Sequence, residues 1–305
     1  MATRVLRLMG NRFELSAIHE DPVFAEQQVD RGITEIHRIE KLLTTFSNDS
    51  QTNLVNTNAG LAPVRVDKEM YDLIERSIRI SQLTQGAFDI TYGSIDKTLW
   101  NFDVNMKSLP SPDVAHRLVR LINFKNIILN ADDCTVLLKE KGMRIGFGGI
   151  GKGYAAEMAK NVMQSNGIKS GVVNASGDLT TWGTQQNGSD WTIGIADPDL
   201  KNLPFSYLKI SNMSVATSGN YEKFVMINGK KYSHTINPKT GLPVTGIKSV
   251  TIISPNAELS DAFATSVTIL GVRLGLHLIN QMNHIGCLII DDQNKLYTSH
   301  NIKIT

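Results

Sequence analysis

Between Met143 and Tyr154 the chain places Gly146, Gly148, Gly149, Gly151 and Gly153 around a single lysine, Lys152, just ahead of an apolar run with helical spacing. Glycine lets the backbone approach a ligand closely, and amides at a helix start point at anions, so this combination suits a phosphate. Gly146, Gly148 and Gly151 fit G-x-G-x-x-G, the dinucleotide fingerprint, while Gly146, Gly151 and Lys152 fit the G-x-x-x-x-G-K of a P-loop. Gly153 stands where a P-loop needs a hydroxyl for magnesium, so that match is incomplete. The dinucleotide match requires a parallel β-α-β unit around the loop.

Further along, Asp261 and Thr265 stand four residues apart in a helical stretch, so their oxygens project from one face toward a common point. One carboxylate, one hydroxyl and a carbonyl or two would suit magnesium, which prefers hard oxygen ligands. The plainer reading is a dipole-complementing acid and a hydroxyl bonded back to its own helix. His234 lies among turn-formers in residues 232–241 and is a candidate general base, or a loop histidine bonded to backbone. Asp178 closes a strand-end turn after Ser176 and Gly177, and residues 217–221 form another polar turn. Phe46, and Gly86 followed by Ala87, Phe88 and Asp89, supply aromatic and acidic groups after two helices; they suit either stacking on a flat ligand or ordinary core packing. His19, His37, His116, His277, His284 and His300 show no ligand spacing, and Cys134 and Cys287 show neither a zinc nor a disulfide pattern.

The elements that must position these groups are legible from periodicity. Residues 4–18 alternate as strands broken near Gly10, and apolar positions at helical spacing follow over 21–43 and again over 67–85, with Asp67 placed to cap the second run. A shorter helix is expected over 111–123. Two apolar runs in 126–138, then residues 142–146, predict an antiparallel hairpin or meander leading into the glycine loop, which argues against the parallel dinucleotide fold. A helix over 154–165, strands at hairpin distances through residue 253, two helices divided by Gly271 and a closing strand pair complete the pattern. Nothing Pro/Ser-rich or repetitive divides the chain, so residues 1–305 are expected to form one compact α+β unit.

Composition excludes some classes. With 31 basic and 29 acidic residues interspersed among 305 and a formal net charge of +2, there is no footprint for nucleic acid and no polybasic membrane patch. No apolar run reaches the roughly 18 residues expected of a membrane span, and the first 16 residues lack a signal-like core. The chain as given therefore reads as cytoplasmic, although removal of a periplasmic lipoprotein signal would leave the same residues.

Taken in order, these pieces resemble the ApbE family of flavin transferases, from about residue 9 to residue 271. The family's opening Met-Gly matches Met9 and Gly10. Its L-S-x-Y-x-x-x-S-x-x-x-x-x-N block matches Leu43, Thr44, Phe46, Ser50 and Asn56, and its G-A-F-D matches Gly86, Ala87, Phe88 and Asp89. Its glycine-lysine loop matches residues 148–154, S-G-D matches Ser176, Gly177 and Asp178, and T-S-G-x-Y matches 217–221. Y-S-H-x-I-x-P-x-T-G-x-P matches 232–243, and D-A-x-A-T matches 261–265.

The resemblance implies a T-fold-related unit with antiparallel sheets and flanking helices. It also implies an enzyme that binds FAD and Mg²⁺, cleaves the pyrophosphate and attaches FMN through a phosphoester to a Thr or Ser of an acceptor protein, releasing AMP. Carried over residue by residue, the metal ligands would be Asp261 and Thr265, with backbone carbonyls near Gly149 and Ala264. The flavin contacts would be Met9, Phe46, Ala87, Phe88, Asp89, Lys152 and Ile236, with Asp178 beside them. His234 and Asp261 would serve catalysis. Two departures stand out: Gly146, Phe147 and Gly148 replace a common Asp-Leu-Gly, and Asn237-Pro238 replaces Asp-Pro. The first removes a carboxylate expected near the nucleotide. That keeps a flavin-binding protein without turnover in view, beside a second alternative, an FAD pyrophosphatase giving FMN and AMP in which water replaces the acceptor hydroxyl at the same site.

Overall fold

The computed structural model describes residues 1–95, 108–196, 204–220, 224–227 and 229–302. Strands β1 (Ala2–Leu8) and β2 (Asn11–Ile18) form a hairpin that turns on Met9 and Gly10, both at positive φ (49° and 74°), the pairing that suits a two-residue turn. Helix α1 (Pro22–Leu43) starts at Asp21, whose side chain accepts the Val23 and Phe24 amides, and buries Ala25, Val29, Ile36, Ile39 and Leu43 along one stripe. Then come α2 (Gln51–Thr57), β3 (Val64–Arg65), α3 (Lys68–Leu83), α4 (Pro112–Leu118), β4 (Ile127–Asn130) and β5 (Thr135–Leu138). Helix α5 (Gly151–Ser165) follows the glycine loop and leads to β6 (Ser170–Ala175) and β7 (Asp178–Trp182). Next are β8 (Trp191–Ala196), β9 (Pro204–Ile210), β10 (Ser214–Gly219), β11 (Phe224–Ile227) and β12 (Lys230–Ser233). The chain closes with β13 (Ile247–Ser254), α6 (Ala257–Ile279), β14 (Gly286–Asp291) and β15 (Leu296–Thr298).

The fold is α+β. Eight strands make one sheet in the order β1-β2-β6-β7-β10-β13-β14-β15, every neighbouring pair antiparallel. That arrangement excludes the parallel unit a dinucleotide fingerprint would need. The core lies between the sheet and three helices: α1 rests on β1 and β2, α5 on β6 and β7, and α6 on β10, β13 and β14. Alternate residues Phe13, Leu15 and Ala17 of β2 are fully buried, as a strand facing helices requires.

Several expectations need correction. Residues 142–146 are not a third strand; they run in irregular conformation beside the separate β3-β5-β4 sheet, because their backbone bonds go elsewhere. Asn56 accepts the Ile145 amide at 2.7 Å and donates to its carbonyl at 3.0 Å, Ser94 Oγ accepts the Arg144 amide and donates to its carbonyl, and the Gly146 amide donates to the Ile90 carbonyl. The helix expected over 111–123 stops at Leu118, where the chain turns to pack Val119 and Ile122 against Ile95 and Ile236. Asp67 does occupy the cap position of α3, yet it makes no side-chain cap bond and accepts from Gln51 instead. Gly271 (φ 81°, ψ 172°) interrupts α6 at the expected point. By length and mean hydropathy (1.6) α6 could cross a membrane, which the reading of apolar runs did not anticipate; here it is a helix laid on the sheet with Asp261, Ala262, Phe263, Ala264 and Val267 buried. Tyr221, expected in a polar turn, lies outside the described residues.

Helices α5 and α6 meet at their N-termini. A Cβ on Gly153 would stand 2.2 Å from the Ala257 carbonyl oxygen and 2.8 Å from the Asp261 Cβ, so glycine alone permits this approach. Each helix also caps the other: Asp261 Oδ2 of α6 accepts the Gly153 amide at 3.0 Å, and Glu157 Oε2 of α5 accepts the Ala257 amide at 2.9 Å. We expect Gly153→Ala to lower stability by about 1–3 kcal/mol in urea unfolding, the usual range for overpacking. Gly148→Ala, with nothing within 4 Å of the added carbon, should stay within about 0.5 kcal/mol.

Candidate active site

The start of α5 is chemically unusual. Ile150 holds the cap position and offers no polar side chain, so the first-turn donors depend on outside groups. Asp261 takes the Gly153 amide. In a helix beginning one turn earlier that amide would bond to the Gly149 carbonyl, which is left without a partner among the described residues. The amides of Gly148 and Gly149 likewise donate to no described group. Two open donors at the N-terminus of a 15-residue helix form an anion cradle.

Thr265 stands over this loop. Its Oγ1 lies 3.2 Å from the position a Cβ on Gly149 would take. Ser266 and Thr268 bond back to the carbonyls of Ala262 and Ala264 at 2.6 and 2.8 Å, whereas Thr265 makes no such bond among the described residues. The plain reading of a back-bonded hydroxyl therefore does not hold at this position. Asp261 is buried and its second oxygen, Oδ1, receives no hydrogen bond from a described residue. Asp261 Oδ1, Thr265 Oγ1 and the Gly149 carbonyl are three hard oxygens with acceptor capacity to spare at one end of two touching helices, and that set fits a small divalent cation. The Ala264 carbonyl is less suitable, because Thr268 already donates to it. No group of three or more His, Cys, Asp or Glu side chains capable of holding a metal occurs among the described residues, so such a cation would rest mainly on neutral oxygens.

The sheet supplies the rest of this end of the site. The β2–β6–β7 register pairs Phe13 with Ala175 and Ala175 with Asp178, which brings the Met9-Gly10 turn and the Ser176-Gly177 turn to the same edge. Met9 Cε lies 3.8 Å from the Cβ position of Gly151, and Lys152 pairs with buried Asp178. Met9, Gly149, Lys152, Asp178, Asp261 and Thr265 are thus brought together from four separate parts of the chain.

The other expected residues sit on neighbouring elements. Phe46 is 97% exposed on a loop pinned by side-chain bonds, Ser50 donating to the Thr44 carbonyl at 2.6 Å and Asn53 to those of Thr45 and Ser47 at 3.0 and 2.7 Å. Core packing is excluded for Phe46. It holds for Ala87 and Phe88, which are buried with their amides bonded to Thr84. Asp89 is a local hub: Oδ1 accepts from the Thr91 amide and hydroxyl and Oδ2 from the Phe124 amide, while burial pushes its carboxyl above the usual range against those bonds. The turn that follows, residues 90–94, adjoins the glycine loop, because the Gly146 amide donates to the Ile90 carbonyl and a Cβ on Gly93 would lie 2.9 Å from the Ile145 carbonyl carbon. Ile236 is buried against Ile95 and Val119, and its amide bonds to Tyr92, whose phenol burial pushes up to about 12. His234 follows β12 on the same segment and is half-buried.

Comparison with known proteins decides the family. The profile of the ApbE family matches residues 9–289. A Klebsiella pneumoniae protein named FAD:protein FMN transferase is 30% identical over 96% of this chain and 90% of its own length. This chain belongs to the ApbE family. A Treponema pallidum protein of the same name is 29% identical over 90% of this chain and 80% of its own length. The crystal structure of an ApbE protein from Thermotoga maritima superposes with a TM-score of 0.86 at 27% identity, covering 98% of this chain and 97% of its own. The flavin transferase ApbE of Vibrio cholerae shares the fold, with a TM-score of 0.83 at 23% identity and coverage of 98% and 97%.

Within this ApbE chain, motif reading passed over three groups. Asn56 is one letter of a motif in the sequence, and in the fold it clasps the backbone that enters the glycine loop. Glu157 and the Arg76–Glu258 pair were not singled out, since a charged residue in a helix reads as a solvated face until the opposing helix is known. Arg76 makes two bonds to Glu258, at 2.8 and 3.0 Å, with its guanidinium 5.8 Å over the Tyr154 ring. These residues line a cleft of about 580 Å³ that contains none of the expected site residues. Asn56→Ala should lower stability by at least about 2 kcal/mol in urea unfolding, because a buried donor and acceptor lose their partner together.

Proposed function

We propose that this chain is a FAD:protein FMN transferase. In the presence of Mg²⁺ it would cleave FAD, attach FMN through a phosphoester to a threonine or serine of an acceptor protein, and release AMP, with residues 1–305 acting as one domain. One observation carries the reading: the cap that Asp261 gives to Gly153 leaves the Gly149 carbonyl, Asp261 Oδ1 and the Thr265 hydroxyl open beside two unbonded loop amides. The relatives' shared name supports the same assignment.

The chain's own groups divide the work. Amides of Gly148 and Gly149 hold pyrophosphate oxygens, and Lys152 exchanges its contact with Asp178 for one with phosphate. Phe46 offers an exposed face on a pinned loop for the isoalloxazine ring. Bound magnesium would supply charge compensation on the pyrophosphate as AMP departs. The acceptor hydroxyl oxygen would form a bond to the flavin-side phosphorus as the P–O bond to AMP breaks, and His234, on a turn-rich segment, would take the hydroxyl proton. Gly146 leaves space where a carboxylate is common in the family, with nothing closer than 3.9 Å to its Cβ position.

Purified protein, FAD, Mg²⁺ and an acceptor bearing a candidate threonine should yield fluorescent flavin that stays on the denatured acceptor. Release of FMN and AMP unaffected by acceptor would identify a pyrophosphatase instead, and tight FAD binding without AMP release would identify a binding protein. Asp261→Ala should abolish turnover with circular dichroism unchanged; residual activity with an unaltered Mg²⁺ requirement would remove Asp261 from the metal site. Phe46→Ala should raise KM for FAD by roughly fivefold or more, the worth of about 1 kcal/mol of aromatic contact, with little change in kcat.

A further inference from the structure

The geometry points to Glu157 as the residue that positions the Asp261 carboxylate: Asn256 caps α6 from within, and the reciprocal cap from Glu157 ties that first turn to α5, and so sets where Asp261 stands relative to Gly153. This inference rests on the proposed role of Asp261 as metal ligand. Glu157 has no solvent-facing function, being 5% exposed on α5 one turn after Gly153. Oε2 accepts the amide of Ala257, the first residue of α6, at 2.9 Å, and Oε1 pairs with Lys160. A carboxylate at a helix N-terminus satisfies an orphan donor and complements the helix dipole, while the lysine balances the buried charge.

The two caps form a closed circuit. From Gly153 the path runs one turn along α5 to Glu157, across to Ala257, one turn along α6 to Asp261, and back to the Gly153 amide. Inside it the Ala257 carbonyl meets the bare Cα of Gly153, so α6 cannot move closer, and the Glu157 bond keeps it from moving away. Arg76 of α3 adds a second, outer tie, bonding the adjacent Glu258 while its guanidinium lies 5.8 Å over the Tyr154 ring of α5. Thr265 lies one further turn along α6, so its hydroxyl inherits the same placement over Gly149.

The test uses full-length protein without metal and reads hydrogen exchange of the Gly153 amide by NMR, with Ile36 of α1 as a reference for global stability. Glu157→Ala, and Glu157→Asp, whose shorter side chain cannot span the gap, should lower Gly153 protection about tenfold beyond any change at Ile36, the effect of losing a cap. Glu157→Gln, which keeps an acceptor, should restore it. Mn²⁺ titrated as a probe and followed by electron paramagnetic resonance should bind about tenfold more weakly to the first two variants than to the wild type and the glutamine variant, the same loss of positioning. Protection that falls no further at Gly153 than at Ile36, or a glutamine variant no better than the aspartate one, overturns the proposal. A wild-type protein that takes up no Mn²⁺ ends the metal reading alone, and the exchange comparison still decides the role of Glu157.

Discussion

The close crossing of α5 and α6 at Gly153 is the constraint on which the rest of the site depends. Two helix N-termini, each with positive partial charge, would ordinarily repel when brought together. Here each is met by a carboxylate from the other, so the approach that a bare Cα permits becomes favourable. The same exchange of caps frees the Gly149 carbonyl, turns Asp261 toward the glycine loop and brings Thr265 over it. The sheet need only place its two hairpin turns beneath, which the β2–β6–β7 register does.

Much of the fold was legible because its elements are locally consistent. The apolar stripe of α1 and the alternation of β2 each announce their conformation from nearest neighbours, and Gly271 marks its own break. What failed to show were effects of distant partners. Residues 142–146 have the apolar content of a strand, yet their hydrogen bonds go to distant partners, those of Ile145 to Asn56, 89 positions away in sequence, and those of Arg144 and Gly146 to Ser94 and Ile90. The end of α4 is set by Ile236, a residue on another segment altogether.

The site was legible in a different way. The glycine loop, Asp261 and Thr265 could be named from spacing, and they do converge. Each alone supported a bland reading as well as a functional one, and the resemblance to a family favoured the functional one before any contact was visible. Structure sharpened this unevenly: it removes the core reading for Phe46, keeps it for Ala87 and Phe88, and shows Asp89 fully engaged by Thr91 and Phe124. The absence of an acid at position 146 leaves the open oxygens of Asp261, Thr265 and Gly149 untouched, since none of them comes from that position.

The break at Gly271 separates two mechanical regimes within one helical element. A residue at φ 81° and ψ 172° cannot continue the ladder of backbone bonds, so the two halves of α6 are joined by side-chain packing rather than by an unbroken helical ladder. Downstream, Leu274 is 47% exposed and free to vary, while upstream Asp261 and Thr265 are held by packing to α5. Gly275 still packs on the first half, its Cβ position lying 2.6 Å from Val267 Cγ1, so it is the exposed surface of the distal half, Leu274 included, that can change without disturbing the residues at the other end.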